Sequence, residues 1–285
     1  MPLRMPASLR LVTLAAAAAL SMGAAQAHVV SAELSNLRFE VVDLDPGDGR
    51  VPSLDLNHRL SAHAWSMHTR VDDPLQVGTS TGDIDETSAL PSAADEHGAP
   101  GVWHRSRAEM GATAGSLLAE LDDTRPGMNL SVSAELASRN YGQSFIAIQA
   151  GSSLTISAES LLGVNTVADC STGVFCAAAQ GTTALSLALF RAPSLNEALQ
   201  TVSDLHNLRV ESTPADAPGS LLQQQSSDSL SVTFENRSGA TVYALVDFQA
   251  SAYGFAAAVP EPSTYALMLA GLGGVLLARR RRAAA

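Results

Sequence analysis

Three carboxylates, Asp43, Asp45 and Asp48, crowd a short segment beside Gly47 and Gly49, and hard cations such as calcium take oxygen clusters of this kind. The spacing departs from an EF-hand loop: glycine falls one place late, and Leu54 stands where a bidentate glutamate belongs. A solvated turn built from Asp, Pro and Gly accounts for the same residues. No cofactor is therefore expected, with calcium at Asp43, Asp45 and Asp48 as the one alternative. Asp72, Asp73, Asp83, Asp85 and Glu86 read as loop charges. Cys170 and Cys176 enclose five residues, too far apart for a two-residue redox or thiolate pair and with no histidine beside them. In an oxidising compartment they predict a disulfide, a local staple contributing roughly 2 to 3 kcal/mol. His58, His63 and His68 are spaced by five, which alternates faces on a strand and spreads around a helix, so they form no ligand set. The central region has no Gly-x-Ser-x-Gly elbow, phosphate loop or His-Glu-x-x-His. The chain contains no lysine, which excludes Schiff-base catalysis and lysine isopeptide cross-links within it. These residues predict a protein that is not an enzyme. Two sequons, Asn129-Leu130-Ser131 and Asn236-Arg237-Ser238, are weak signals.

The ends say where such residues would be displayed. Arg4 and Arg10 are the only charges before an uncharged run from Leu11 to Met22, followed by Ala25-Gln26-Ala27. That is the pattern of a secretory signal peptide over residues 1–27, cut by signal peptidase between Ala27 and His28 with Ala25 and Ala27 in its small-residue pockets. An amino-terminal histidine chelates copper through its amine and imidazole, as in lytic polysaccharide monooxygenases. His28 therefore carries the alternative of a secreted metal-dependent polysaccharide-active enzyme. At the other end, Val259-Pro260-Glu261-Pro262 precedes a 16-residue apolar run from Ser263 to Ala278 and then Arg279, Arg280, Arg281 and Arg282. The prolines hold an extended segment. The run spans about 24 Å as a helix against a hydrocarbon core of about 30 Å. The arginines stop transfer on the cytoplasmic side and snorkel across the mismatch.

Pro260-Glu261-Pro262, the short apolar helix and the terminal arginine cluster together resemble the PEP-CTERM sorting signal. The resemblance covers about the last 26 residues and implies recognition by exosortase, a membrane-embedded cysteine transpeptidase-like enzyme, with this chain as substrate. It also implies export, transient residence in the inner membrane, and delivery to the cell surface or extracellular matrix. Val42-Asp43-Leu44-Asp45-Pro46-Gly47-Asp48-Gly49 soon after a leader, with an alanine-rich spacer before Pro-Glu-Pro, is similar to exported PEP-CTERM proteins with one β-rich domain. The implied role is structural or adhesive, in contact with exopolysaccharide or biofilm matrix. A calcium-binding surface module is the remaining alternative.

Composition fits that destination. The 285 residues carry a net charge of −11, and residues 28–260 alone hold 27 acids against 11 arginines, a charge of −16. Such a chain repels phosphate backbones, so nucleic acid is excluded as a partner. Its 5% aromatic content leaves too few large side chains for two cores, so a single domain over residues 28–258 is expected between the leader and the sorting segment at 259–285.

Alternation of apolar and polar residues recurs at 37–44, 130–136, 145–149, 154–158, 185–190, 230–234 and 241–248. Period-two runs of this number predict an all-β fold, a single antiparallel, jelly-roll-like β-sandwich with a thin aliphatic core. Ser194 with Glu197 three places on reads as a capping box opening a short helix over 195–205. Residues 72–115, apart from the pattern starting at Val102 and Trp103, and residues 213–229 read as long polar loops.

Overall fold

The computed structural model describes residues 28–70, 79–99, 102–123, 128–138, 145–167, 178–195, 198–202, 208–211 and 221–255. They form β1 (His28–Asp43), β2 (Leu60–Arg70), β3 (Thr79–Asp85), β4 (Ser92–Ala99), β5 (Val102–Met110), β6 (Gly115–Asp123) and β7 (Met128–Ser138). There follow β8 (Ile146–Ile148), β9 (Ser152–Val167), β10 (Ala178–Phe190), β11 (Ala198–Val202), β12 (Leu208–Glu211), β13 (Leu221–Asn236) and β14 (Val242–Phe255). One sheet runs β13-β9-β1-β6-β5-β4 and the other β11-β10-β14-β7-β2-β3, with β12 beside β10 and β8 beside β14. Every described pairing is antiparallel. The chain passes between sheets after β1, β3, β6, β8, β9, β12 and β13, so neighbours in sequence often face each other across the core rather than pair.

Period-two sequences produce this layering because alternate side chains leave a strand on opposite faces. In β14 the alternation runs from Val242 through Ala244, Val246, Phe248, Ala250 and Ala252, all buried, with the residues between them facing outward. These meet Val30, Ala32 and Leu34 of β1 and Leu117, Ala119 and Leu121 of β6 from the facing sheet. The core is almost wholly aliphatic. Phe248, fully buried, is its largest side chain, and the ring of Phe39 meets it edge-on at 5.8 Å between centroids.

One local irregularity preserves the pattern. Leu34 and Leu37 are three apart and would point to opposite faces of a regular strand, yet both are fully buried. The β1 register shifts between them against β6, and between Ser35 and Arg38 against β9. Asn36 sits there at φ 52°, a left-handed conformation asparagine tolerates better than most residues, and its amide donates to Glu159 at 2.8 Å. The bulge returns Leu37 to the core.

Three expectations are corrected. The segment read as a helix over 195–205 contains β11, which pairs with β10 from Leu187↔Val202 to Phe190↔Ala198. The capping-box pattern is a local preference, and hydrogen bonding to the open edge of β10 overrides it. The region 72–115 is not mainly loop, since it holds β3, β4, β5 and the start of β6. β3 and β4 are outermost strands rich in polar residues, so they lack the apolar alternation that marks a strand with a buried face. Residues 221–229, assigned to the second loop, begin β13, where Gln223, Gln224 and Gln225 pair in register with β9 while exposed.

Candidate functional site

The interior changes character at one end of the sandwich. Along β2 the core-facing positions read Leu60, Ala62, Ala64, Ser66, His68; along β5, Met110, Ala108, Ser106, His104; along β4, Ala93, Asp95, His97. The same period that fills the core with aliphatics therefore ends in histidines, an aspartate and hydroxyls. β2 belongs to one sheet and β4 and β5 to the other, and they touch across the gap.

Three imidazoles meet there. His97 and His104 are directly opposite in the β4–β5 ladder, with ring centroids 5.7 Å apart. His68, from the facing sheet, lies 5.0 Å from His104 and 6.5 Å from His97. His104 is fully buried, His68 half-buried and His97 exposed, so the cluster runs from the interior to the surface. Asp95 anchors its inner side, with 13% of its side chain exposed. Its Oδ2 accepts hydrogen bonds from Ser66 Oγ at 2.9 Å and Thr81 Oγ1 at 3.1 Å, and lies 3.4 Å from His104 Nε2. The last distance is longer than an N–H···O hydrogen bond. Ser66 donates to the carboxylate rather than to an imidazole, so the group is not arranged as a Ser-His-Asp nucleophile. Its chemical capacity is that of clustered imidazole nitrogens backed by one carboxylate.

A second titratable group lies on the outer face of the other sheet. His63 is opposite Glu135 in the β2–β7 ladder, and its Nε2 is 3.9 Å from Glu86. Burial and the nearby Asp247 raise the Glu135 pKa, while His63 draws it down; burial raises Asp247 as well.

Asp43 ends β1, and Asp45 and Asp48 occupy the turn after it. Asp43 accepts the Asp45 N–H at 2.9 Å and Asp48 that of Arg50 at 2.8 Å, so two of the three carboxylates close backbone turns. Among the described residues no three histidine, cysteine or acidic groups converge on one point, this turn included. Asp83 and Asp85, read as loop charges, belong to β3 and accept the backbone N–H groups of Ala94 and Ser92 in β4. His28 begins β1 opposite Asp123. Ala25, Ala27, Cys170, Cys176, Pro260, Glu261, Pro262 and Arg279 to Arg282 lie outside the described residues. His58 is in the turn before β2, with Nδ1 3.0 Å from the Thr87 carbonyl; His63 and His68 lie on opposite faces of β2. From the sequence, His58, His63 and His68 form no ligand set, and their spacing singles out none of the three clustered histidines. The signal for His97 and His104 was their place in the alternation of β4 and β5.

No curated protein and no solved structure matches the chain. The family model of the PEP-CTERM protein-sorting motif matches residues 258–282. That stretch holds the Pro-Glu-Pro segment, the apolar run and the arginine cluster in their expected order. The chain carries a PEP-CTERM protein-sorting motif, which indicates an exported protein targeted to exosortase.

Proposed function

We propose that this protein is a non-enzymatic structural or adhesive component of the cell surface or extracellular matrix, in contact with exopolysaccharide. The observation that carries the reading is the sorting motif at 258–282 joined to a two-sheet antiparallel domain. Signal peptidase removes residues 1–27, the apolar run at 263–278 holds the chain in the inner membrane as a short helix, and exosortase cuts near Pro260-Glu261-Pro262. The released domain is acidic and free of lysine, with serine, threonine and glutamine exposed along β13 and an expected Cys170–Cys176 staple. Such a surface stays soluble and hydrogen-bonds to hydroxyl-rich polymers.

The test is the intact mass of the native protein from cells with and without exosortase. Loss of residues 1–27 in both, and of the tail only with exosortase, is expected, with any added mass identifying the attachment. A C-terminus that is the same in both would overturn the matrix reading. Thermal melts with and without calcium on the same samples test Asp43, Asp45 and Asp48: a calcium-dependent shift lost in Asp45→Asn would make the domain a calcium module.

A further inference from the structure

We propose that β13 is a self-association edge: two copies of this domain pair their β13 strands antiparallel about a twofold axis at Ser226, joining two six-stranded sheets into one. This surface belongs to the domain itself and is independent of the matrix role proposed above. A sheet edge presents unpaired N–H and C=O groups that template another strand, and folded proteins blunt such edges. Among the described residues this sandwich blunts its edges, with one exception. β11 and β12 are only five and four residues long. β3 and β4, on the opposite side, close on each other. Asp83 and Asp85 of β3 accept the Ala94 and Ser92 N–H groups of β4 at 3.1 Å, and Asp95 of β4 turns its carboxylate inward.

β13 differs. It is sixteen residues long, pairs with β9 from Leu221 to Asn236 without a bulge, and contains no proline and no basic residue. No described strand lies on its other side. The backbone groups that face outward are identifiable. The Asn236 carbonyl points toward β9, where it accepts from Gly151 N at 2.9 Å, so alternation turns the odd-numbered residues to the free side. There the Ser229 N–H donates to the carboxylate of its own neighbour, Asp228, at 2.8 Å, a local substitute for a facing strand. From Gln223 to Ser229 the side chains of both faces are exposed, apart from half-buried Ser226, so the facing sheet does not cover this stretch.

The sequence of this edge complements itself, which selects a second copy as the occupant. Pairing about Ser226 brings residues 221–231 of each copy together, with Gln225 opposite Ser227, Gln223 opposite Ser229 and Gln224 opposite Asp228. The odd-numbered pairs then exchange about a dozen backbone hydrogen bonds. Ser229 N–H trades its carboxylate for the Gln223 carbonyl of the second copy, and Asp228 accepts that copy's Gln224 amide. Asp228 is the single charge in the stretch, and it faces an amide rather than itself, which matters in a chain of net charge −11. An axis at Asp228 would set the two carboxylates opposite each other. The contact is isologous and closes at two copies. It lies at the small end of specific interfaces, which corresponds to a Kd of about 10–100 μM.

The experiment uses mature protein recovered from exporting cells, in sedimentation runs spanning about 1 to 500 μM around that Kd. A monomer–dimer equilibrium is expected. Gln225→Glu combined with Ser227→Glu, both at exposed positions, sets carboxylates face to face twice and should weaken the dimer at least about tenfold. The melting temperature of the dilute protein should not change. Mixing that protein with one carrying Gln225→Arg and Ser227→Arg should restore dimers between the two. Ser226→Cys should give a disulfide-linked dimer on oxidation, and Thr233→Cys, outside the overlap, should not. Backbone amides of 223–229 should gain hydrogen-exchange protection as concentration rises. A protein monomeric throughout, or a dimer indifferent to the paired charges, overturns the proposal. So does full protection of 223–229 in the dilute monomer, which would assign the edge to another segment of this chain. None of these outcomes bears on exosortase processing.

Discussion

Asn236, the last residue of β13, is 1% exposed and its side chain joins two turns that are far apart in sequence. Its amide donates within 2.9 Å of the Ile148 carbonyl, 3.0 Å of Gln149 and 2.8 Å of Ala240. Its Oδ1 accepts from Ser238 N at 3.1 Å and Ser238 Oγ at 2.6 Å. Two amide hydrogens serve three carbonyls; Gln149 has another donor in Ser152 Oγ, and Ala240 has one in Ser238 Oγ once that hydroxyl is released from Asn236 Oδ1. Asn236→Ala therefore costs about two net hydrogen bonds at about 1 kcal/mol each, plus about 1 kcal/mol for the carbonyl left short of a donor, or about 3 kcal/mol. A domain of this size loses about 2–4 °C per kcal/mol, so a fall of about 6–12 °C is expected in melts followed by circular dichroism. Asn236→Asp keeps the shape but faces those carbonyls with a carboxylate. At neutral pH it should cost more than alanine. Because its folded pKa would be raised above the unfolded value, the deficit is full above the folded pKa and shrinks as pH falls toward the unfolded one. An Asn236→Asp protein as stable as wild type at pH 7, or a deficit that does not shrink in acid, would refute the reasoning. The same burial predicts no glycan at the Asn236 sequon in the folded protein, checked by peptide mass.

Asp85 accepts backbone N–H groups from Thr87, Ser88 and Ser92 at 3.1, 3.0 and 3.1 Å. Burial pushes its pKa up, but these bonds and one from the Ser88 hydroxyl outweigh it and hold the carboxyl well below the usual range. Its stabilisation is complete above the unfolded carboxylate value and is lost as pH falls through the lower, folded one. Asp85→Asn should destabilise by about 1–2 kcal/mol at pH 7, with the gap closing in strong acid, as urea titrations at both pH values would record. Glu135 has the opposite sign: burial and Asp247 raise its pKa, so its ionised form opposes folding above that value and the penalty is absent below the unfolded pKa. Glu135→Gln should raise the melting temperature at pH 7 and give no advantage near pH 4.

Strands with a buried face were legible because each carries its own evidence: β7, β10 and β14 alternate within their own length. Outermost strands without an apolar alternation were not. β3 and β4 owe their place to ladders with β2 and β5, and Asp83 and Asp85 of β3, which read as loop charges, accept backbone N–H groups of β4. β11 contradicted its capping signal for a related reason, since the open edge of β10 lies beyond any local window. The histidine cluster was hidden in the same way. Its members come from three strands in two sheets, and nothing in the spacing of His58, His63 and His68 pointed to His97 or His104.

The sequence by itself determined the export address and the β-rich class, because a sorting segment and a strand's alternation are each contiguous, written within some ten to thirty residues. The tertiary structure alone decided strand order, the Leu34–Leu37 bulge, and which polar side chains face each other inside the sandwich. Those depend on pairing and packing between residues far apart in the chain, where each register is chosen by the faces it buries and not by the residues beside it.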